Sequence, residues 1–257
     1  MNMRINHVKE KLNRGEACRG IWLAIPSIYS ARLLASQPSD FLVIDTEHAP
    51  VGIEKLAQMT AVIADSNGPA PLVRLSQASS ENIKQALDAG AYGIIAPMIN
   101  TREEADQVVR WTKFPPEGQR SYGSPYPGLA FDVSGSEYLN LANQQILTAI
   151  QIESQAALNN LDETFAAPGL DLVFIGPIDL SISLGLEPLP ENTHPIFLEA
   201  LEEIKQAALT HHLPMGIYCT NGKAAAQRIE EGFLLVNVAT DVNLLKNGFL
   251  DELSDST

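Results

Sequence analysis

The chain has 257 residues, 31 acidic against 17 basic, and a formal net charge of −14. That balance, with no Lys/Arg-rich run, leaves no electrostatic footprint for nucleic acid or for an anionic membrane surface. Hydrophobic residues make up 45% of the sequence, enough for a large core and against global disorder.

The N-terminal stretch 1–14 alternates charged and apolar residues at helical spacing and lacks the continuous apolar core of a signal peptide. No apolar stretch reaches the length of a bilayer span. A cytoplasmic protein is expected, and Cys18 and Cys219 form neither a disulfide framework nor a zinc cluster.

From there, short apolar runs alternate with longer amphipathic ones. Strands are predicted over 20–25, 41–45, 71–75, 93–97, 147–153, 172–176, 215–219 and 235–239. Helices are predicted over 30–36, 53–64, 80–89, 102–113, 155–164, 195–212, 222–231 and 241–250. Thr101 before Arg102-Glu103-Glu104 reads as an N-cap, and Gly90 and Gly232 read as helix stops. Eight such units in one domain, 1–257, predict an α/β fold of the (β/α)₈ barrel type. A doubly wound open sheet is the alternative, but no Gly-x-Gly-x-x-Gly follows the first strand. One segment breaks the rhythm: 114–143 is a long connection, expected to lie over the face where substrate enters.

The chemistry-bearing residues stand where strands end. Asp45-Thr46-Glu47-His48 closes the second strand, Arg74 the third and Glu153 the fifth. Asp179 follows the Gly176-Pro177 turn after the sixth. Barrel enzymes assemble one site from such exits. Glu153 and Asp179, on adjacent strands, could grip one hard divalent cation; they could equally cap a helix and shape a turn. His48, three residues after Asp45, could move a proton or cap a loop carbonyl. Asp88, near the end of a helix, is a candidate to orient it. Arg74 could stabilise an oxyanion or sit in a barrel-mouth ion pair. In the Gly176 to Ser181 turn, the Ile178 and Asp179 N–H groups could hold a small carboxylate. No lysine falls inside a predicted strand, which argues against a Schiff-base mechanism.

In order along the chain, Gly20-Ile21-Trp22, Asp45 to Pro50, Val73-Arg74, Leu87 to Ala91, Ala96-Pro97-Met98, Pro115 to Arg120, Gln151-Ile152-Glu153 and Phe174 to Ser181 resemble the class II metal-dependent pyruvate aldolases. The similarity is to the 4-hydroxy-2-oxoheptanedioate and 2-dehydro-3-deoxyglucarate aldolase type, over nearly the whole chain. The resemblance implies a TIM barrel of the phosphoenolpyruvate/pyruvate type, with the last helix exchanged between subunits of a hexamer built as a trimer of dimers. It implies Mg²⁺, Mn²⁺ or Co²⁺ on Glu153 and Asp179. It implies His48 as base paired with Asp88, Asp45 beside them, and Arg74 on the keto oxygen. Gln151 would lie beside pyruvate and Gly176, Pro177, Ile178 and Asp179 around its carboxylate, with Trp22, Ser181 and Tyr218 completing the pocket.

The implied reaction is reversible cleavage of a 4-hydroxy-2-oxo acid to pyruvate and an aldehyde. The alternatives are a lyase or decarboxylase acting on oxaloacetate or an acyl-CoA, and a catalytically silent metabolite-binding barrel. The sequence also departs from the pattern. After Arg120 come Ser121-Tyr122-Gly123-Ser124-Pro125-Tyr126-Pro127, and the next arginine is Arg228, so a loop arginine for a distal carboxylate is missing. Val238-Ala239-Thr240-Asp241 replaces a Gly-x-Asp, an expected change in packing around the last strand.

Overall fold

The computed structural model describes residues 4–256; the first three residues of the predicted N-terminal helical stretch and Thr257 lie outside them. Eight parallel strands close in sequential order into a barrel. They are β1 (Cys18–Leu23), β2 (Phe41–Asp45), β3 (Ala70–Arg74), β4 (Gly93–Ala96), β5 (Leu147–Ile152), β6 (Leu172–Ile175), β7 (Met215–Ile217) and β8 (Leu235–Thr240). Their continuous apolar runs follow from burial on both faces, against the barrel interior and against the helices outside. Gly20 is required by close approach, since a Cβ there would stand 2.3 Å from the Phe41 carbonyl oxygen on the paired strand.

The helices are α1 (His7–Asn13), α2 (Ile28–Ala35), α3 (Ile53–Ala64), α4 (Ser80–Asp88), α5 (Arg102–Thr112), α6 (Tyr126–Ala130), α7 (Gly135–Gln145), α8 (Gln155–Leu158), α9 (Leu161–Phe165), α10 (Pro177–Ser183), α11 (Pro195–Thr210), α12 (Gly222–Glu230) and α13 (Asp241–Asp255). Thr101 and Glu104 form a reciprocal capping box on α5, worth about 1 kcal/mol. No helix of the described residues is long and apolar enough to cross a membrane.

Where structure and sequence reading differ, a side chain is the usual cause. β1 stops at Leu23 because the Asp241 carboxylate takes the N–H groups of Ala24 and Ile25, at 2.9 and 3.0 Å, out of the ladder. β7 stops at Ile217 because the Asn237 amide takes both the N–H and the carbonyl of Cys219. The predicted helix over 155–164 breaks into α8 and α9. Segment 114–143 is no open loop: it contains α6 and α7, pinned by fully buried Phe131 and by Tyr138. Phe131 stacks on Tyr92 with ring centroids 4.1 Å apart.

Candidate active site at the carboxyl ends of the strands

A cavity of about 510 Å³ opens at the carboxyl ends of the strands. Trp22, Asp45, Arg74, Gln151, Phe174 and Thr240 reach it from β1, β2, β3, β5, β6 and β8, and Tyr218 from just past β7. His48, Gly176, Pro177, Ile178 and Asp179 complete its polar side.

Asp45 and Arg74 are register partners on β2 and β3. Arg74 donates from Nε to Asp45 Oδ1 at 3.0 Å and from Nη2 to Oδ2 at 2.5 Å, and its Nη1 lies 3.2 Å from Glu47 Oε2. The Glu47 and His48 backbone N–H groups also donate to Asp45 Oδ1. Burial pushes the Asp45 carboxyl up, but Arg74 and those two N–H groups outweigh it and hold the carboxyl below the usual range. The Arg74 guanidinium lies over the Trp22 ring at 5.0 Å, so both its plane and its fork are fixed.

Glu153 sits one residue past β5, 2% exposed, behind Gly176 and Gln151. Its Oε1 accepts from the Met98 N–H at 2.8 Å and its Oε2 from Gln151 Nε2. A Cβ on Gly176 would stand 2.2 Å from Glu153 Oε2, so only glycine leaves the carboxylate room. Burial pushes the Glu153 carboxyl up to about 7, against its two hydrogen bonds, and the charges of Glu47 and Asp179 push the same way. Glu47 is likewise raised by burial, and further by Asp45 and Asp179 despite Arg74. Asp179 stands in the first turn of α10.

Glu47, Glu153 and Asp179 are thus mutually repelling carboxylates, Asp179 on the cavity wall and Glu47 and Glu153 beside it, with Arg74 as the nearby fixed cation. The Gln151 Oε1 beside them is buried without a hydrogen-bond partner. An oxygen-rich, over-acidic corner of this kind fits a hard divalent cation. Among the described residues, however, no group of three or more His, Cys, Asp or Glu is set as a metal cage. Two protein carboxylates with the remaining positions left to substrate and water is the arrangement Mg²⁺-type ions commonly accept.

Three sequence expectations need correction or relocation. Ser181 is fully buried and turned away from the cavity: its hydroxyl donates to the Pro177 carbonyl at 2.7 Å and accepts from Asn192 Nδ2 at 3.0 Å. It stabilises α10, which begins at Pro177, and does not face substrate. Asp88 is not brought to His48. It ends α4 and accepts from Arg120 Nη2 at 3.1 Å, and no hydrogen bond or ion pair among the described residues joins it to His48. The His48 imidazole is 61% exposed, with Nε2 3.9 Å from Glu47 Oε2.

Sequence reasoning gave Glu47 no role, although it shares the Asp45–His48 run and meets the same arginine. It also passed over Phe174, Val242 and Asn243. Val242 and Asn243 reach the cavity because the buried Asp241 fastens the start of α13 to the end of β1.

A parallel eight-stranded barrel whose acids, arginine and histidine converge at the carboxyl ends of its strands defines an enzyme of the (β/α)₈ class. The sequence profile of the HpcH/HpaI aldolase/citrate lyase family matches residues 19–248, and the chain belongs to that family. It is 35% identical over 252 residues to a hydroxypyruvate/pyruvate aldolase of Rhizorhabdus wittichii, covering 98% of this chain and 99% of that one. It is 38% identical over 242 residues to a 4-hydroxy-2-oxo-heptane-1,7-dioate aldolase of Shigella boydii, covering 93% and 90%. The crystal structure of a family protein from Burkholderia cenocepacia superposes with a TM-score of 0.90 at 32% identity, covering 98% of this chain and 99% of that one.

Proposed function

We propose that the chain is a divalent-cation-dependent pyruvate aldolase, reversibly cleaving a 4-hydroxy-2-oxo acid to pyruvate and an aldehyde. The observation that carries this reading is an Arg74 fork locked by Asp45 in the same cavity as Asp179, with the Glu153 carboxylate crowded directly behind the cavity residues Gln151 and Gly176. Membership of an aldolase/citrate lyase family supports it.

Glu153 and Asp179 would hold the cation, Mg²⁺, Mn²⁺ or Co²⁺. When bound, it would polarise the 2-keto group as a Lewis acid and neutralise the carboxylate corner. The chain's own groups would do the rest. In the cleavage direction a proton leaves the 4-hydroxyl and the C3–C4 bond breaks. Its electron pair stays on the pyruvate fragment as an enolate, which then takes a proton at C3 to become the methyl group. His48, at the cavity rim, is the group placed to move these protons. Arg74 spends two of its five N–H groups on Asp45 and holds Glu47 as an ion pair; its remaining N–H groups can meet the negative keto oxygen. The Ile178 and Asp179 N–H groups at the start of α10 can take the pyruvate carboxylate.

The same geometry narrows the aldehyde. Arg74 is the lone fixed cation among the cavity residues, and its neighbours already neutralise it. Arg120, the arginine of the long connection, is buried, with its guanidinium over the Phe114 ring at 4.6 Å and bound to Asp88. An aldehyde without a second carboxylate therefore fits better than a semialdehyde acid. Helix α13 leaves Leu245, Phe249, Leu250 and Leu253 exposed, which supports exchange of that helix between subunits of a hexamer.

The test is aldol synthesis from pyruvate with glycolaldehyde or with succinic semialdehyde, in Mn²⁺, read by mass spectrometry. The expected result is a 4-hydroxy-2-oxo acid product, formed faster from glycolaldehyde. No product from either aldehyde would reject the reading, and preference for the semialdehyde acid would reject the assignment of aldehyde class.

A further inference from the structure

Met98 adopts φ +54°, the left-handed region that a large side chain enters only under constraint. That conformation puts its N–H 2.8 Å from Glu153 Oε1. What imposes it is visible in the next residues. Asn100 Nδ2 donates to the Met98 carbonyl at 2.9 Å, and Asn100 Oδ1 accepts from the hydroxyl of Ser154, the residue after Glu153. The Asn100 N–H donates to Glu104 Oε2 at 2.7 Å and its carbonyl accepts from Asn160 Nδ2 at 3.0 Å, so its backbone and side-chain polar groups are all engaged. Between the two, the Ile99 N–H donates to the Gln151 carbonyl at 3.3 Å.

We infer that Asn100 is a positioning residue for Glu153: it clamps Met98 in the left-handed conformation, whose N–H holds Oε1, and so fixes the orientation in which the carboxylate meets the cation. Asn100 does not line the active-site cavity, so it acts through Met98 and Ser154 alone. Partners one step removed from a metal ligand set its orientation and hence its affinity. The inference rests on Glu153 being a cation ligand, as proposed above.

The experiment compares the full chain, stripped with EDTA, with its Asn100→Ala, Met98→Val and Met98→Gly variants. Mn²⁺ binding is read by electron paramagnetic resonance. Amide deuterium exchange of a peptide spanning Met98 is read by mass spectrometry in the metal-free proteins. Asn100→Ala is expected to weaken Mn²⁺ binding about tenfold and to speed exchange at Met98, with little change in Tm. Met98→Val, β-branched and ill suited to φ above zero, is expected to weaken binding at least about fivefold more than Met98→Gly, which needs no clamp. That difference separates the backbone role from lost packing, and it stands even if Asn100→Ala fails to fold. Asn100→Ala within about twofold of the parent, or equal losses in the two Met98 variants, overturns the inference alone. A parent that takes up no Mn²⁺ overturns the cation reading and this inference with it.

Discussion

Arg74 and Asp45 face each other across adjacent strands with both guanidinium-to-carboxylate bonds made, and Arg74 keeps its other N–H groups on the side of Glu47 and the cavity. The arginine is aimed before substrate arrives. Arg74→Lys would keep the charge but lose the planar fork and the stacking on Trp22. Cleavage is expected to lose about 10²-fold in kcat/KM with the fold intact, which steady-state kinetics beside circular dichroism would check. A loss below about threefold would mean Arg74 serves only the rim of the barrel.

Glu153 makes a pH prediction for the metal-free protein. Its carboxyl stands at about 7 in the folded chain, above its ordinary 4.5. A group raised in this way contributes stability that is fully present below the ordinary value and lost as pH rises through the folded one. Glu153→Gln mimics the neutral form at every pH. In EDTA it should therefore melt several degrees above the parent at pH 8, with the gain shrinking towards pH 5. Equal Tm differences at the two pH values would contradict the burial of that charge.

Gly176 leaves the space that the Glu153 carboxylate fills. Gly176→Ala would drive a methyl group into Oε2 and cost about 1–3 kcal/mol of stability, with displaced Glu153 and weakened Mn²⁺ uptake. Denaturant melts and metal titration would measure both. Full metal affinity in this variant would show that Glu153 is not a ligand.

Ser181 should behave as structure and not as a substrate contact. Ser181→Ala is expected to lose about 1 kcal/mol of stability while the KM for pyruvate in aldol synthesis stays within about twofold. A large rise in that KM with unchanged Tm would restore the sequence expectation.

Most of the barrel was legible in the sequence because its strands are short, largely buried apolar runs, those of β2 and β3 closed by Asp45 and Arg74. The corners were not, because they are set by side chains far away in sequence: Asp241 ends β1, and Asn237 ends β7. Helix α7 hid in the long connection because few of its residues are apolar and buried, chiefly Tyr138 and Ala142. The site was legible where one residue does one job, as with Arg74 and Gln151 on the cavity wall. It was illegible where hydrogen-bond partners decide. Ser181 looked like a binding hydroxyl beside the turn, yet Pro177 and Asn192 consume it. Asp88 looked free for His48, yet its partner is Arg120. The left-handed turn at Met98 carried no glycine to announce it.

The central claim is that this cavity makes a carbon nucleophile of pyruvate with a cation's help. Deuterium uptake into the methyl group of pyruvate, followed by proton NMR in D₂O without any aldehyde, measures that step alone. Rapid uptake with Mn²⁺ or Mg²⁺, abolished by EDTA and largely lost in His48→Ala, is the expected result. Uptake indifferent to EDTA, or none with any divalent ion, would contradict it.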